Sequence, residues 1–206
     1  MTRFADMTVT GLLDALASPS PTPGGGAAAA IAAAMGTSLL LMVAGLAKSR
    51  NNTDEEKAAL AAVRDEVTPL TTQLAQLADA DAGAFDLVME AYRLPKVSDA
   101  EKAARTQAIQ AALKGATIVP LDTLRACADA IVQAMIVAEH GNRSAKSDVG
   151  VAVALLRAAA AGAHANVQVN LEGLKDEAFR AETAAEAARL AADARTNAAA
   201  ADASLV

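Results

Sequence analysis

A run of three glycines, Gly24 to Gly26, stands where an extended segment gives way to a predicted helix. Prolines at alternate positions (Pro19, Pro21 and Pro23) forbid helix before the glycines and fix an extended backbone. The exposed N–H groups of the turn and the positive end of the helix dipole would together suit an anion, such as a carboxylate or a phosphate. A plain turn explains the same residues, so the glycines alone leave both interpretations open.

Side chains that could move a proton are few and isolated in the sequence. Asp81 lies on a predicted helix, where a single carboxylate is usually solvated. His164 could act as a base, but a histidine on an alanine-rich helix is more often packed or half-exposed, and His140 precedes a helix-ending glycine. Cys127 is the only cysteine, and the histidines lack further ligands at zinc spacing, so we expect no disulfide and no metal site.

The helix that follows the glycines is predicted to be the centre of the fold. From Ala27 to Leu46 the chain carries no charge, and small residues alternate with Met and Leu, so other helices can approach closely. The segment is long enough to span a membrane. About half of it is Ala, Gly, Ser or Thr, however, with no basic flank before it, no aromatic belt and no second such segment, so we expect no membrane partner.

Periodicity and capping residues predict the other helices. Thr8 to Leu16 is predicted to form a short amphipathic helix. Later in the chain, one alanine-rich helix follows the loop at residues 141–148, and a second one begins at Asp176. In the middle of the chain, two capping boxes each mark the start of a helix. These helices are predicted over residues 53–92, with a kink at Pro69, and over residues 98–116. A further helix is predicted after them, with Pro120 at its first position. The sequence therefore predicts an all-α, compact bundle of about six to seven helices around a buried Ala-rich central helix, as a single domain spanning residues 1–206.

The composition of the chain limits the classes of partner that we expect it to bind. The net charge of −6 and the pI near 4.9 argue against nucleic acid, since no cluster of Lys and Arg forms a stripe. The lone cysteine fits a cytoplasmic location. Small side chains bury little apolar area per helix, which makes a homodimer an expected way to add burial.

Three segments in order resemble one protein family. They are the SPTPGGG turn that enters an alanine-rich helix ending in MVAGL, the segment from Asp81 and Phe85 to Leu94-Pro95-Lys96, and the run from Gly141-Asn142 through Ser147-Asp148 to Asn166 and Asn170. The chain resembles the cyclodeaminase family, which is the folate-handling half of formiminotransferase-cyclodeaminase and includes stand-alone methenyltetrahydrofolate cyclohydrolases. It departs at Ser144, where the family pattern has a second Asn, and its exit from the central helix carries only Lys48 and Arg50.

The resemblance implies a folate one-carbon enzyme with no cofactor beyond its tetrahydrofolate substrate. Cyclohydrolases add water to the 5,10-methenyl bridge to give 10-formyltetrahydrofolate, and cyclodeaminases close that bridge from the 5-formimino compound with loss of ammonia. We expect the cyclohydrolase reaction, because no formiminotransferase domain is attached. The alternatives are formiminotetrahydrofolate cyclodeaminase and a non-catalytic helical folate-binding or scaffold member.

The resemblance also assigns site residues. Asp81 and Asp148 are the expected catalytic carboxylates, and the expected substrate-binding residues are Gly24, Gly25, Gly26, Lys48, Arg50, Asn142, Ser147, Asn166 and Asn170. Asp148 and Asn166 would share one helix face but lie ~27 Å apart along its axis, too far to touch one carbon. Either one of them is structural, or a folate-length ligand spans them, or a two-fold dimer brings Asp148 of one chain near Asn166 of the other.

Overall fold

The computed structural model describes residues 3–46 and 53–206, and these ranges are helical with no strand. The all-α prediction is confirmed. Lys48 and Arg50 lie outside the described residues. The helices are α1 (Val9–Ala17), α2 (Gly25–Gly45), α3 (Asp54–Arg93), α4 (Asp99–His140), α5 (Lys146–Glu172) and α6 (Glu177–Ser204), with short 3-10 turns at Phe4–Asp6 and Arg143–Ala145.

Local capping determines where several helices begin, as the sequence predicted. Both capping boxes form: the side chains of Thr53 and Ser98 accept from the backbone N–H groups of Glu56 and Glu101, whose carboxylates accept from the cap residues in return. Thr8 caps α1 by accepting from the Gly11 N–H. Helix α3 runs without interruption through Pro69.

The predicted break before Pro120 is wrong, because α4 is one helix of 42 residues. Proline has no N–H, so Pro120 cannot donate to the Ala116 carbonyl four residues earlier. The side-chain amide of Asn170 on α5 supplies the missing donor, at 2.7 Å from Nδ2 to the Ala116 oxygen. Pro120 is buried in the bundle, so tertiary contacts hold the helix together at a residue that would end an isolated helix.

Helix α2 packs between α3 and α5, and α4 packs against α2, α3, α5 and α6. Helices α2 and α5 run antiparallel: Gly25 faces Asn166 near one end, Gly36 faces Leu156 in the middle, and Val43 reaches Gly141 near the other end. The largest fully buried side chains come from α2, α3, α4 and α5, and they include Leu40, Leu74, Leu121, Leu124, Ile131 and Leu156. The Ala-rich α2 thus contributes to the core between α3 and α5, while α4, which contacts four helices, is the more central element.

One face of α2 is exposed to solvent, so this helix is not buried on every side. Met35 and Met42 are 56% and 43% exposed. Helix α1 is also loosely attached, since none of its residues is buried and Val9 and Leu13 are largely exposed.

Two segments have the length and composition of a membrane span. They are Gly25–Gly45, with mean hydropathy 2.0, and Arg143–Glu172, with mean hydropathy 1.3, so the sequence-based expectation of no second such segment is wrong. Core helices of a helical bundle meet the same criteria, and both segments contribute buried residues to the core here.

Candidate active site

The carboxylate of Asp81 on α3 lies against the glycine turn at the start of α2. A Cβ placed on Gly26 would lie 2.5 Å from Asp81 Cγ and 2.6 Å from Oδ2, which is closer than real Cβ contacts. Gly26 is itself buried. The third glycine therefore has no side chain because the Asp81 carboxylate occupies the space that a side chain would need.

The start of α2 offers hydrogen-bond donors to this carboxylate. Gly24 is the N-cap and has no side chain to cap the helix, and the first helical bond runs from the Ala28 N–H to the Gly24 carbonyl at 3.0 Å. The three N–H groups of Gly25, Gly26 and Ala27 therefore have no partner within the helix. Of these, the Ala27 N–H lies close enough to Asp81 to favour the charged form of its carboxyl. The side chain beside the turn is thus the protein's own Asp81, and binding of an external anion by the glycines stays a prediction.

Burial changes the acidity of Asp81. Removal of water around the carboxyl raises the pKa of Asp81 above its ordinary value, and the nearby backbone N–H of Ala27 opposes this with a smaller effect. A carboxyl whose pKa moves toward neutrality can both accept and return a proton at physiological pH, which a surface aspartate does poorly.

Asn166 on α5 joins Asp81 at the same end of the bundle. A Cβ on the exposed Gly25 would lie 3.8 Å from Asn166 Nδ2, an ordinary contact distance. That amide donates to the Gly162 carbonyl one turn earlier, at 2.8 Å. We call the group formed by Gly24, Gly25, Gly26, Asp81 and Asn166 the Asp81 site.

Asn170 lies one turn beyond Asn166 but faces α4. Its side-chain amide donates to the Ala116 carbonyl that Pro120 leaves without a helical partner. This bond gives Asn170 a structural task. The sequence allowed hydrogen bonding of a buried backbone group as an interpretation of Asn170 but could not identify the partner, because Ala116 is distant in the chain.

The other predicted site residues within the described ranges, Asn142, Ser147 and Asp148, lie at the opposite end of α2 and α5. Asn142 accepts from the Ser144 N–H at 3.0 Å and caps the 3-10 turn that precedes α5, and Ser147 and Asp148 follow in the first turn of α5. We call Asn142, Ser147 and Asp148 the Asp148 cluster. Because Asp148 and Asn166 lie 18 residues apart on one continuous helix, ~27 Å separates the cluster from the Asp81 site within one chain.

Cavities lie at both ends. A cavity of about 420 Å³ lies between the N-terminal segment and α3, next to the glycine turn, with Phe4, Met7, Thr22 and Pro23 in its wall. Asp79 secures this wall by accepting from the Phe4 N–H at 2.8 Å. Sequence reasoning missed Phe4 and Met7, which belong to no motif.

At the other end, a cavity of about 310 Å³ is lined by Asn142 together with two cations, Arg143 and Lys146. The only signal for these cations in the sequence is that they lie within the polar loop after Gly141.

His164 and Cys127 lie outside the Asp81 site. His164 lines a groove between α5 and α6 together with Arg157 and Arg195. Burial of the Cys127 thiol raises its pKa to about 12, which makes the thiol unreactive.

Known proteins match most of this chain, and a solved structure among them has the same fold. The family described as "Formiminotransferase-cyclodeaminase" matches residues 8–189. The chain is 47% identical over 187 residues to the methenyltetrahydrofolate cyclohydrolase of Methylorubrum extorquens, covering 91% of this chain and 90% of that protein.

A second relative is longer than this chain. Formimidoyltransferase-cyclodeaminase of Mus musculus is 32% identical over 194 residues, which are 94% of this chain and 36% of the mouse protein. Among solved structures, formiminotetrahydrofolate cyclodeaminase of Thermotoga maritima superposes with a TM-score of 0.87 at 28% identity, covering 98% of this chain and 96% of that one. The turn, the carboxylate behind it and these matches lead to one conclusion: the chain belongs to the formiminotransferase-cyclodeaminase family.

Proposed function

We propose that this protein hydrolyses 5,10-methenyltetrahydrofolate to 10-formyltetrahydrofolate. One observation carries the chemistry: the half-buried Asp81, with its raised pKa, is held at the glycine turn of α2. The choice of substrate rests on the 47% identity, over nearly the full length of both chains, to a methenyltetrahydrofolate cyclohydrolase.

The reaction needs a group that accepts a proton and then returns it. Water attacks the methenyl carbon between N5 and N10, and Asp81 takes one proton from that water. The tetrahedral carbon then loses its bond to N5, which receives the proton from Asp81, and the remaining hydroxyl proton leaves to solvent as the formyl group forms on N10. The methenyl carbon already has the oxidation level of a formyl group, so the reaction needs no redox cofactor.

The proposal includes a homodimer that works in the cytoplasm. The exposed methionines of α2 support the dimer, since a partner would remove them from water. A partner would also add apolar burial to helices whose small side chains bury little area each. The single buried thiol suits a reducing compartment.

Cyclodeaminase activity is the second candidate, and the match to the Thermotoga maritima cyclodeaminase over 98% of the chain favours it. Both reactions pass through a tetrahedral carbon between N5 and N10, so the same carboxylate would serve either one.

Two assays on the purified protein separate these candidates. The first follows the loss of methenyltetrahydrofolate absorbance at a pH where spontaneous hydrolysis is slow, and the second measures ammonia released from 5-formiminotetrahydrofolate. We expect the first to be faster. Faster ammonia release would make the protein a cyclodeaminase, and catalysis in neither assay would leave a folate-binding or scaffold member.

A further inference from the structure

The first turn of α2 begins without the support that a capped helix has. Its N-cap, Gly24, has no side chain and makes no capping hydrogen bond. Glycines at the next two positions add backbone freedom that must be restrained when the helix forms. Helix ends without caps fray, so another part of the chain has to hold this turn beside Asp81.

A small buried cluster lies beneath this turn. Ala27 and Ala30 of α2 and Ala78 of α3 form the cluster, apart from the main core of the bundle. The half-buried ring of Phe4, in the 3-10 turn Phe4–Asp6, packs against it. Alanine side chains bury little area each, so a large ring adds much of its own apolar surface to this contact.

The carboxylate of Asp79 holds Phe4 at the alanine cluster. It accepts from the Phe4 N–H at 2.8 Å, and Arg3, the N-cap of the 3-10 turn, makes no side-chain capping bond. The ion pair between Arg3 and Asp6 is exposed and closes the turn on itself without attaching it to α3. A single 3-10 turn has few internal bonds, so the position of Phe4 depends on Asp79.

Asp79 and Asp81 lie on the two flanks of Ala78 on α3. At 3.6 residues per turn, Asp79 is rotated about 100° from Ala78 in one direction and Asp81 about 60° in the other. The bond to Phe4 and the contact with Gly26 are therefore made on different sides of one turn of α3. The alanine cluster lies between these two contacts, so loosening the first would let the start of α2 move away from Asp81.

We propose that Phe4 and Asp79 are positioning residues for Asp81, an inference that rests on the proposed function. The hydrogen bond between them keeps the Phe4 ring on the alanine cluster, and the cluster keeps the first turn of α2 against α3. This contact takes the place of the missing cap and keeps water away from the Asp81 carboxyl. Both residues act through Asp81 and touch no reacting atom.

Phe4→Ala should lower kcat for methenyltetrahydrofolate hydrolysis by about 10- to 100-fold, because small displacements of a catalytic group are costly. KM should stay near the wild-type value, since no substrate contact is removed. Burial is the main cause of the raised pKa of Asp81, so water that enters should lower this pKa toward its ordinary value. The acid limb of the pH profile of kcat should therefore move to lower pH.

Phe4→Leu keeps an apolar side chain on the cluster and should restore most of the turnover and the original acid limb. A raised KM with unchanged kcat in Phe4→Ala would place Phe4 against the substrate and overturn the positioning role. An unchanged acid limb in a folded Phe4→Ala protein would also overturn it.

Asp79 is tested through its acceptor oxygen. Asp79→Asn keeps an oxygen for the Phe4 N–H and should behave like the wild type, whereas Asp79→Leu removes the acceptor and should behave like Phe4→Ala. Both changes break one contact, so the Phe4→Ala/Asp79→Leu double variant should lose no more activity than the more impaired single variant. Losses that multiply, or an Asp79→Asn protein as impaired as Asp79→Leu, would overturn the proposal.

Phe179→Ala is the matched control for loss of a ring. Phe179 is also half-buried, but it lies on α6 and packs against the main core. Its loss should lower the melting temperature and leave the acid limb in place. Equal shifts of the acid limb in Phe4→Ala and Phe179→Ala would mean that general destabilisation causes the effect, which would overturn the proposal.

Hydrogen exchange tests the contact without any activity. In Phe4→Ala and Asp79→Leu, the backbone amides of residues 28–31 should exchange about tenfold faster than in the wild type, while those of residues 40–43 keep their rates. Unchanged exchange at residues 28–31 would overturn the proposal even if the wild type hydrolyses methenyltetrahydrofolate. Faster exchange in the variants of a protein that hydrolyses no folate would keep the contact and remove the proposed function.

Discussion

At the scale of single residues, Asp81 and Gly26 act as a pair. The carboxylate fits only because position 26 lacks a Cβ, and it lies beside the backbone N–H of Ala27 at the start of α2. A carboxylate at a helix N-terminus is ordinarily stabilised in its charged form. Here burial outweighs that effect, because the pKa of Asp81 is raised rather than lowered. In the proposed mechanism, this carboxyl at the start of α2 is the group that accepts the proton.

Asp81→Asn should lower kcat by ~10²–10⁴-fold, because an amide keeps the shape of the side chain but cannot accept a proton. Methenyltetrahydrofolate hydrolysis and circular dichroism measure activity and fold. The control is Asp65→Asn, which neutralises an exposed carboxylate on the same helix and should leave kcat unchanged. A near-normal rate for Asp81→Asn would remove Asp81 from the mechanism.

The same variant should be more stable than the wild-type protein at pH 7 to 8. A folded-state pKa above the unfolded value of about 3.9 means that the stability contributed by this group is fully present below that pH and is lost as the pH rises through the folded value. Asparagine does not ionise and so avoids the loss. Thermal melts between pH 4 and pH 8 should show the advantage of the variant shrinking toward pH 4, and an advantage that grows toward pH 4 would contradict a raised pKa.

Gly26→Ala should reduce activity about as far as Asp81→Asn does, because the new Cβ would displace the carboxylate. Steady-state kinetics at saturating substrate measure the effect. Gly83→Ala is the matched control: that glycine lies on α3 with nothing within 4 Å of a new Cβ, so the change should raise stability by about 0.5–1 kcal/mol and leave kcat alone. Full activity in Gly26→Ala would mean that Asp81 works from another position.

At the scale of helices, α4 shows how one element depends on another. A helix of 42 residues passes through Pro120 because Asn170 on α5 donates to the carbonyl that the proline leaves free. Buried carbonyls without a donor are costly, so the bond stabilises α4 and also fixes the register of α5 against it. Asn166, one turn earlier, then faces Gly25. The bond between Asn170 and Ala116 therefore also fixes the position of Asn166 at the Asp81 site.

Asn170→Ala should destabilise the fold by about 1–3 kcal/mol, the usual effect of leaving a buried polar group unpaired. Pro120→Ala returns a backbone N–H to Ala116, so in that background the Asn170→Ala change should cost clearly less. Urea denaturation of the wild type, the two single variants and the double variant gives the coupling energy between Asn170 and Pro120. Additive effects would mean that the bond does not compensate for the proline. A raised KM in a stable double variant would instead support the predicted contact of Asn170 with substrate.

At the scale of the whole molecule, small residues bring the helices together. Gly36 lies in the middle of α2, where a Cβ would be 2.9 Å from Leu156 Cγ and 3.0 Å from the Ala152 carbonyl oxygen of α5. Helix α6 packs through a stripe of buried small residues, among them Ala187, Ala191, Ala194, Ala198 and Ala201. Close backbone approach lets dispersion contacts and shape replace the large side chains that this chain lacks.

Gly36→Ala should destabilise the protein by about 1–3 kcal/mol, because the added methyl meets backbone that cannot move without separating α2 from α5. Chemical denaturation measures the change. Gly115→Ala in α4 has open space around the new Cβ and should stabilise the protein instead. The two variants should therefore change the free energy of unfolding in opposite directions. Equal effects would mean that α2 and α5 have room to separate.

The sequence by itself determined the local features and the family. Capping boxes at Thr53 and Ser98 predicted where α3 and α4 begin, because a cap needs only residues three positions apart. The glycine turn indicated free N–H groups at the start of α2, because they follow from chain direction alone, and it left open whether an anion meets them. The ordered motifs predicted the folate-handling family, which the comparisons confirmed.

Only the tertiary structure decided which residues meet. That Asp81 lies against the glycine turn, that α4 continues through Pro120 with the help of Asn170, and that the Asp148 cluster lies at the far end of α2 each depend on contacts between residues many turns apart. Periodicity identifies the face of a helix but not the neighbour that covers it or the register at which they pack. An alanine-rich chain makes this harder, since many registers bury similar area, and a few glycines and amides select the one that forms.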